Sequence, residues 1–226
     1  MAYLQMLALG IHVKTQLGMI VAMVQELAEE LLLWWEDGRL QQQLPGLQAS
    51  QRAWLEALAK EPVSAAALAN MGITYVVADA RKIPQEGGTF DLIFSNNTLE
   101  HIPTKSLVAI FPELARVLQD SGLMSHYTDH ADHYSYGDVR LSPYHFLRYS
   151  ESQWAWIENR IQSQNRLRVQ QIRALFEAAG LVVTGEDLEY AASEPPDDLP
   201  LALPFRTFSW QDNGVTYSHL VGKKKT

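Results

Sequence analysis

The sequence predicts an α/β protein, a sheet covered by helices. Three observations predict it. Short β-branched and aromatic runs alternate with stretches whose apolar residues recur every three or four positions. Phe90-Asp91-Leu92-Ile93-Phe94-Ser95 has a near-continuous apolar centre, the signature of a parallel strand covered on both faces. Turn residues such as Gly87-Gly88, Ser121-Gly122 and Gly180 punctuate the alternation. The chain has 226 residues, 47% hydrophobic and 19% charged, enough for a full core. It has no cysteine, which excludes a disulfide scaffold, a thiolate metal site and a cysteine nucleophile. The net charge of -8 argues against a general nucleic-acid binder, and Lys223-Lys224-Lys225 reads as a solvated chain end.

Met1 to Trp35 is apolar-rich, but His12, Lys14, Gln16, Gln25 and Glu26 interrupt it short of a membrane span. No basic residues precede it as in a signal peptide. A cytoplasmic protein is expected. Leu17, Ile20, Val21, Val24, Leu27, Ala28, Leu31, Leu32 and Trp35 predict a helix stopped at Asp37-Gly38. A polar loop through Pro45-Gly46 follows, then helices over Gln51–Lys60 and Ser64–Asn70. Strands are predicted at Ile73–Val77, Phe90–Ser95, Leu123–Tyr127, from Leu181 to Val183, and at Val215–Val221. Helices are predicted over Ser106–Gln119, with Pro112 breaking or kinking it, over Glu151–Asn159, and over Asn165–Ala179. Ligands in such sheets bind outside the carboxyl ends of strands. The chemistry is therefore expected in Ala78–Pro84, Asn96–Ile102 and Thr128–Asp138.

The order Ala78-Asp79-Ala80, Ile83-Pro84, Phe90 to Asn96, Leu99-Glu100-His101-Ile102, Leu114 to Leu118 and Gly122 resembles class I S-adenosylmethionine-dependent methyltransferases. Asp132-His133, Ser142 to Arg148 and Asn165 to Arg168 resemble a bacterial subgroup of that superfamily. The resemblance implies one Rossmann-like domain over residues 1–226. Residues 1–72 form a mostly helical part, 73–130 the cofactor-side strands and loops, 131–164 a substrate-side insertion, and 165–226 the last helix and strands. It implies methyl transfer from S-adenosylmethionine to an oxygen or nitrogen of a small molecule. Asp79, Ala80, Ser95, Asn96 and His101 are the expected cofactor contacts.

The sequence departs from the family's first strand and acidic-x-Gly-x-Gly loop, because no two of its thirteen glycines stand two residues apart. Ala2–Leu9 is expected to be the tail of the helix after that loop, and Ile11-His12-Val13 the second strand, so the fold is expected to be N-terminally incomplete. Unpaired strand edges attract one another, so self-association is expected, and a non-catalytic interaction module is the alternative to an enzyme.

Five of the seven histidines lie between His101 and His145. Three readings compete for His126, Asp129, His130, Asp132 and His133: a general base oriented by Asp132 or Asp129, a metal site, and a structural polar loop. His133 with Asp132 is the expected catalytic pair, and no metal is expected. Asp129, Tyr136, Tyr144 and Arg148 are the expected acceptor contacts, with a small aromatic core as the competing reading. Arg166 and Arg168 read as solvated helix-start residues or carboxylate partners.

Overall fold

The computed structural model describes residues 5–8, 13–60, 74–158, 163–191, 199–203 and 205–225. The chain divides into two compact units, Met1–Asp79 and Ala80–Thr226, where the sequence predicts one domain.

In the first unit, β1 (Gln5–Ala8) pairs in parallel with β2 (Thr74–Val77). Helix α1 spans Val13–Glu36 and ends where Gly38 turns at φ 80°. Gly38 reaches that left-handed region without the clash a side chain would bring. Short α2 (Arg39–Gln43) and α3 (Ala49–Lys60) follow. Ala28, Leu40, Leu55 and Leu58 form their shared core, with Trp34, Trp35 and Trp54 against it. Two expectations are corrected. Gln5–Ala8 is a strand and not a helix tail, because a short apolar run closed by a glycine serves either role until it finds a partner. Val13 opens α1 instead of ending a strand, while Ile11 and His12 lie outside the described residues. The predicted helix Ser64–Asn70 also lies outside them.

The second unit is a mixed sheet in the order β3-β4-β6-β5. Strand β3 (Phe90–Asn96) is parallel to β4 (Leu118–Asp129). Strand β6 (Val215–Lys224) runs antiparallel between β4 and β5 (Leu181–Tyr190). The α/β class with a helix-flanked sheet is as predicted. Helix α4 (Thr104–Val117) and helix α6 (Val169–Ala178), separated in the chain by short α5 (Glu151–Ile157), meet through Phe111 and Phe176, whose ring centroids are 5.3 Å apart. Met124, His126 and Thr128 of β4 and Ser218 and Leu220 of β6 alternate into this buried face, as period two requires. A Cβ on Gly222 would stand 2.7 Å from the Phe176 ring, so only glycine lets helix and strand approach this closely.

Pro112 does not break α4. Pro112 and Val108, whose carbonyl loses its bond to the missing N–H, both lie on the exposed side, where water substitutes. The expectation that β3 is covered on both faces also fails. Among the described residues β3 pairs only with β4, and Leu92 and Phe94 are 50% and 54% exposed.

The largest correction concerns residues 165–168, predicted as the start of a helix but irregular in the structure; α6 begins at Val169. Arg166 sits at φ 61°. Arg168 is fully buried and donates to the carbonyls of His130 (2.6 Å), Asn213 (2.6 Å) and Val215. Arg166 donates to the carbonyls of Phe146 (2.9 Å) and Tyr149 (2.6 Å) and pairs with Glu151 at 2.6 Å. It is thus a carboxylate partner, but a buried one. Burial depresses Arg168 to about 10, still charged at neutral pH. Replacing Arg168 by Met is expected to cost at least about 3 kcal/mol, since three carbonyls each lose a donor at about 1 kcal/mol or more. Urea denaturation measures this, and Arg168→Lys should recover only part, because an ammonium lacks the planar fork.

Candidate functional site

Parallel pairing brings the carboxyl ends of β3 and β4 side by side, and the chain leaves both through tight turns. After β3, Leu99–His101 forms a 3₁₀ turn. Asn165 clamps it: its side-chain amide donates to the carbonyls of Leu99 and Ile102, both at 2.7 Å, and its backbone N–H to that of Glu100 at 2.8 Å. After β4, the turn His133–Tyr136 is capped by Asp132, which accepts from the Tyr134 N–H at 2.9 Å. The Gln164 side chain accepts from the His133 N–H at 3.3 Å and donates to the Ala131 carbonyl. The two turns thus hold His101 and His133 with ring centroids 5.1 Å apart.

The hydrogen bonds fix both imidazole tautomers. His101 Nδ1 lies 2.7 Å from the Ser163 carbonyl, which can only accept, so Nδ1 carries the proton and Nε2 is left with a lone pair. His133 Nε2 lies 3.1 Å from Asp129 Oδ2, so Nε2 donates and Nδ1 keeps its lone pair. That Nδ1 is buried and lacks a partner. Asp129 also accepts from the Tyr136 hydroxyl at 2.6 Å and the Ala131 N–H at 2.8 Å. Tyr136 shares a 2.6 Å bond with the Tyr217 hydroxyl. Burial alone would raise Asp129, but the bonds from His133, Tyr136 and Ala131 outweigh it and hold the carboxyl below its usual value. Glu100 is 3% exposed, and neither carboxyl oxygen makes a well-formed hydrogen bond, although the backbone N–H groups of Glu100 and Asp129 lie near enough to favour its charge. Burial pushes it up to about 7. Glu100, His101 and His133 offer ligand atoms all within 4.8 Å of one another.

The expected catalytic pair is His133 with Asp132; in the structure His133 bonds Asp129 instead. Asp132 faces His145 Nδ1 at 3.6 Å and caps the turn; burial raises its carboxyl. Of the expected acceptor contacts, Asp129 and Tyr136 join His133. Arg148 is exposed and lies over the Tyr149 ring. Tyr144 belongs to the small aromatic core instead, with Phe146, Leu147, Trp154 and Phe205. Its hydroxyl is spent on the Gly214 carbonyl at 2.8 Å and the Ala191 N–H at 3.2 Å.

Of the expected cofactor contacts, Asn96 ends β3 exposed, next to His101's turn. Ser95 is 2.6 Å from His126 Nδ1. Asp79 is exposed at the end of the first unit and Ala80 is buried at the start of the second. Sequence reasoning missed the tie from Ser163 and Gln164 and the part of Tyr217. The available signal was an arginine on each side of Leu167, directly after the polar run Ser163-Gln164-Asn165.

Residues 42–122 match the family model of a methyltransferase domain. That match bears out the superfamily that the residues from Ala78 to Gly122 resemble. No curated protein matches the chain. Among solved structures, it is similar to a proposed sarcosine dimethylglycine methyltransferase from Galdieria sulphuraria, with 20% identity and a TM-score of 0.45. That match covers 71% of this chain and 62% of the other, so the chain spans less than two thirds of that protein's length. An S-adenosylmethionine-dependent methyltransferase from Methanosarcina mazei is 10% identical over 67% of each chain, with a TM-score of 0.45. A proposed methyltransferase from Bacillus halodurans C-125 is 15% identical over 78% of this chain and 89% of the other, again at 0.45.

Burial holds His126 down at about 4, between Phe111 and Phe176 and opposed by His219, and His130 at about 3, opposed also by Arg168. An unfolded imidazole titrates near about 6.5. The unfolded state therefore takes up protons first, and stability is lost as pH falls from about 6.5 towards 4. The raised carboxyls of Glu100 and Asp132 act the other way, so the comparison with His126→Phe isolates one imidazole. Between pH 7 and pH 4 the parent should lose stability relative to that variant by up to about 1.4 kcal/mol per pH unit. Urea titrations at stepped pH measure the difference.

Proposed function

We propose that this chain transfers a methyl group from S-adenosylmethionine to an oxygen or nitrogen of a small molecule. The observation that supports it most is the convergence of Asn96, the Glu100-His101 turn and the His133–Asp129–Tyr136 set at the ends of two parallel strands. The end of β3 suits the donor, since Asn96 is free there to bond a ribose or amino group. The parts expected of Asp79 and Ala80 rest on the resemblance. The glycine cradle typical of the superfamily does not occur in this sequence; the end of β3 offers the donor contact that this chain does show. Bound S-adenosylmethionine supplies an electrophilic methyl group; the protein's work is to align the acceptor and remove its proton. In the metal-free protein His133 Nδ1 takes that proton, and Asp129 stabilises the imidazolium and fixes its tautomer. Asp132 supports the pair by holding the turn. Tyr136 and Arg148 face the acceptor, and an acidic or sugar-like group on it would suit the guanidinium.

The exposed Leu92 and Phe94 on an edge strand favour a second reading, a non-catalytic module that associates with copies of itself through β3. One calorimetric titration with S-adenosylhomocysteine separates the two. The enzyme reading expects saturable binding that Asn96→Ala weakens at least tenfold. It also expects labelled methyl transfer to a panel of hydroxyl and amine acceptors, falling about 10²- to 10⁴-fold in His133→Ala. The absence of binding at millimolar ligand would overturn it. The module reading expects no binding, together with a dimer or larger species in size-exclusion chromatography with light scattering. Phe94→Lys should convert that species to monomer.

A further inference from the structure

The group Glu100, His101 and His133 has an imbalance that the methyl-transfer reading leaves unexplained. Both Glu100 oxygens and His133 Nδ1 are buried without a well-formed hydrogen bond. His101 Nε2 faces them with a lone pair, because its Nδ1 proton is committed to Ser163. Glu100 Oε1 is 3.9 Å from His101 Nε2, beyond a hydrogen bond. The two free imidazole nitrogens are acceptors in these tautomers, and each Glu100 oxygen is one whenever the carboxyl is ionised. Buried acceptors without a donor are costly, and an electron-pair acceptor is what such a set fits.

We propose that Glu100, His101 and His133 form a binding site for one divalent first-row transition cation, with two imidazole nitrogens and one carboxylate as ligands. Two further features belong to such sites. Each ligating imidazole has its other N–H held by an acceptor, a backbone carbonyl for His101 and a carboxylate for His133. This outer arrangement fixes the tautomer and ring orientation that a metal requires. Asp129 is in turn held by Tyr136 and the Ala131 N–H. Separations within 4.8 Å close on ligation to about 3 to 3.5 Å, given metal–ligand distances of about 2.0 to 2.2 Å. Three protein ligands leave positions open for water or an acceptor oxygen. Imidazole and carboxylate together favour zinc, manganese or iron(II) over magnesium or calcium. Residues within the β3 and β4 turns supply all three ligands. The site deepens the proposed function: a cation there would hold an acceptor hydroxyl and lower its pKa, and His133 would then serve as ligand instead of base.

The assignment of the cation rests on that reading only for the acceptor's role, so binding is measured without S-adenosylmethionine. The full chain is stripped with EDTA, dialysed and titrated calorimetrically with Zn²⁺. One zinc per chain at micromolar affinity or tighter is expected, with Mg²⁺ failing to compete. His101→Ala and His133→Ala should each weaken binding at least tenfold, Asp129→Asn about 10- to 100-fold, and His219→Gln not at all. Circular dichroism checks that the variants fold. X-ray absorption of the zinc-loaded parent needs no variant and should show two imidazoles in the first shell. Failure of the stripped, folded chain to bind zinc, or a first shell without imidazole, would overturn the site and leave the methyl-transfer reading standing. Zinc binding without methyl transfer would uphold the site and count against that reading alone.

Discussion

The second unit depends on an irregular strap, residues 163–168, most of it buried. Its hydrogen bonds go outward, to chain segments far away in sequence. Ser163 holds His101, Gln164 the Ala131 and His133 backbone, and Asn165 the Leu99–Ile102 turn. The Leu167 carbonyl accepts from His130 Nδ1, and Arg168 binds carbonyls at the end of β4 and the start of β6. A buried guanidinium is costly to desolvate. It is tolerated here because its terminal N–H groups donate to the backbone carbonyls of His130, Asn213 and Val215.

The site inherits its order from that strap. Histidines on two turns would be free to rotate if each were held by its own loop alone. Here one ring N–H of each is taken by a fixed acceptor, and the two rings and Glu100 offer ligand atoms within 4.8 Å of one another. Glu100 completes the set from the turn that also carries His101. Its burial beside unsatisfied nitrogens concentrates electron pairs in a low-dielectric place, where an incoming proton or cation is held strongly. The neighbouring histidines behave differently. His130 is saturated by Leu167 and Ser218, and His126 is wedged between two phenylalanines, so both are structural.

Strand β3 has two characters. On one edge it is a full partner of β4 and presents the site. Its other edge has no partner among the described residues, and Leu92 and Phe94, two residues apart and so on one face, are exposed. Natural edges usually carry charges, prolines or bulges that discourage pairing, and the centre of β3 carries none of these beyond Asp91. The same strand therefore links the chemistry of the site to the association behaviour of the chain.

The sequence by itself determined the α/β class, the strands at Phe90, Leu123, Leu181 and Val215, the stop at Gly38 and the loops in which the chemistry lies. These features follow from periodicity and turn chemistry, which are local. It also carried the superfamily, through residues in a fixed order from Ala78 to Gly122. Only the tertiary structure decided that His133 belongs to Asp129 and not to Asp132. Both carboxylates lie within four residues of it, and the direction of the turn after β4 chooses between them. Tyr144 reads like a binding-site aromatic until its hydroxyl is seen to bond Gly214 and Ala191 across the chain. Arg166 and Arg168 look like solvated residues opening a helix, because helical spacing continues upstream of Val169. Their distant carbonyl partners override local propensity, since satisfying buried oxygens outweighs the bonds one more helical turn would make.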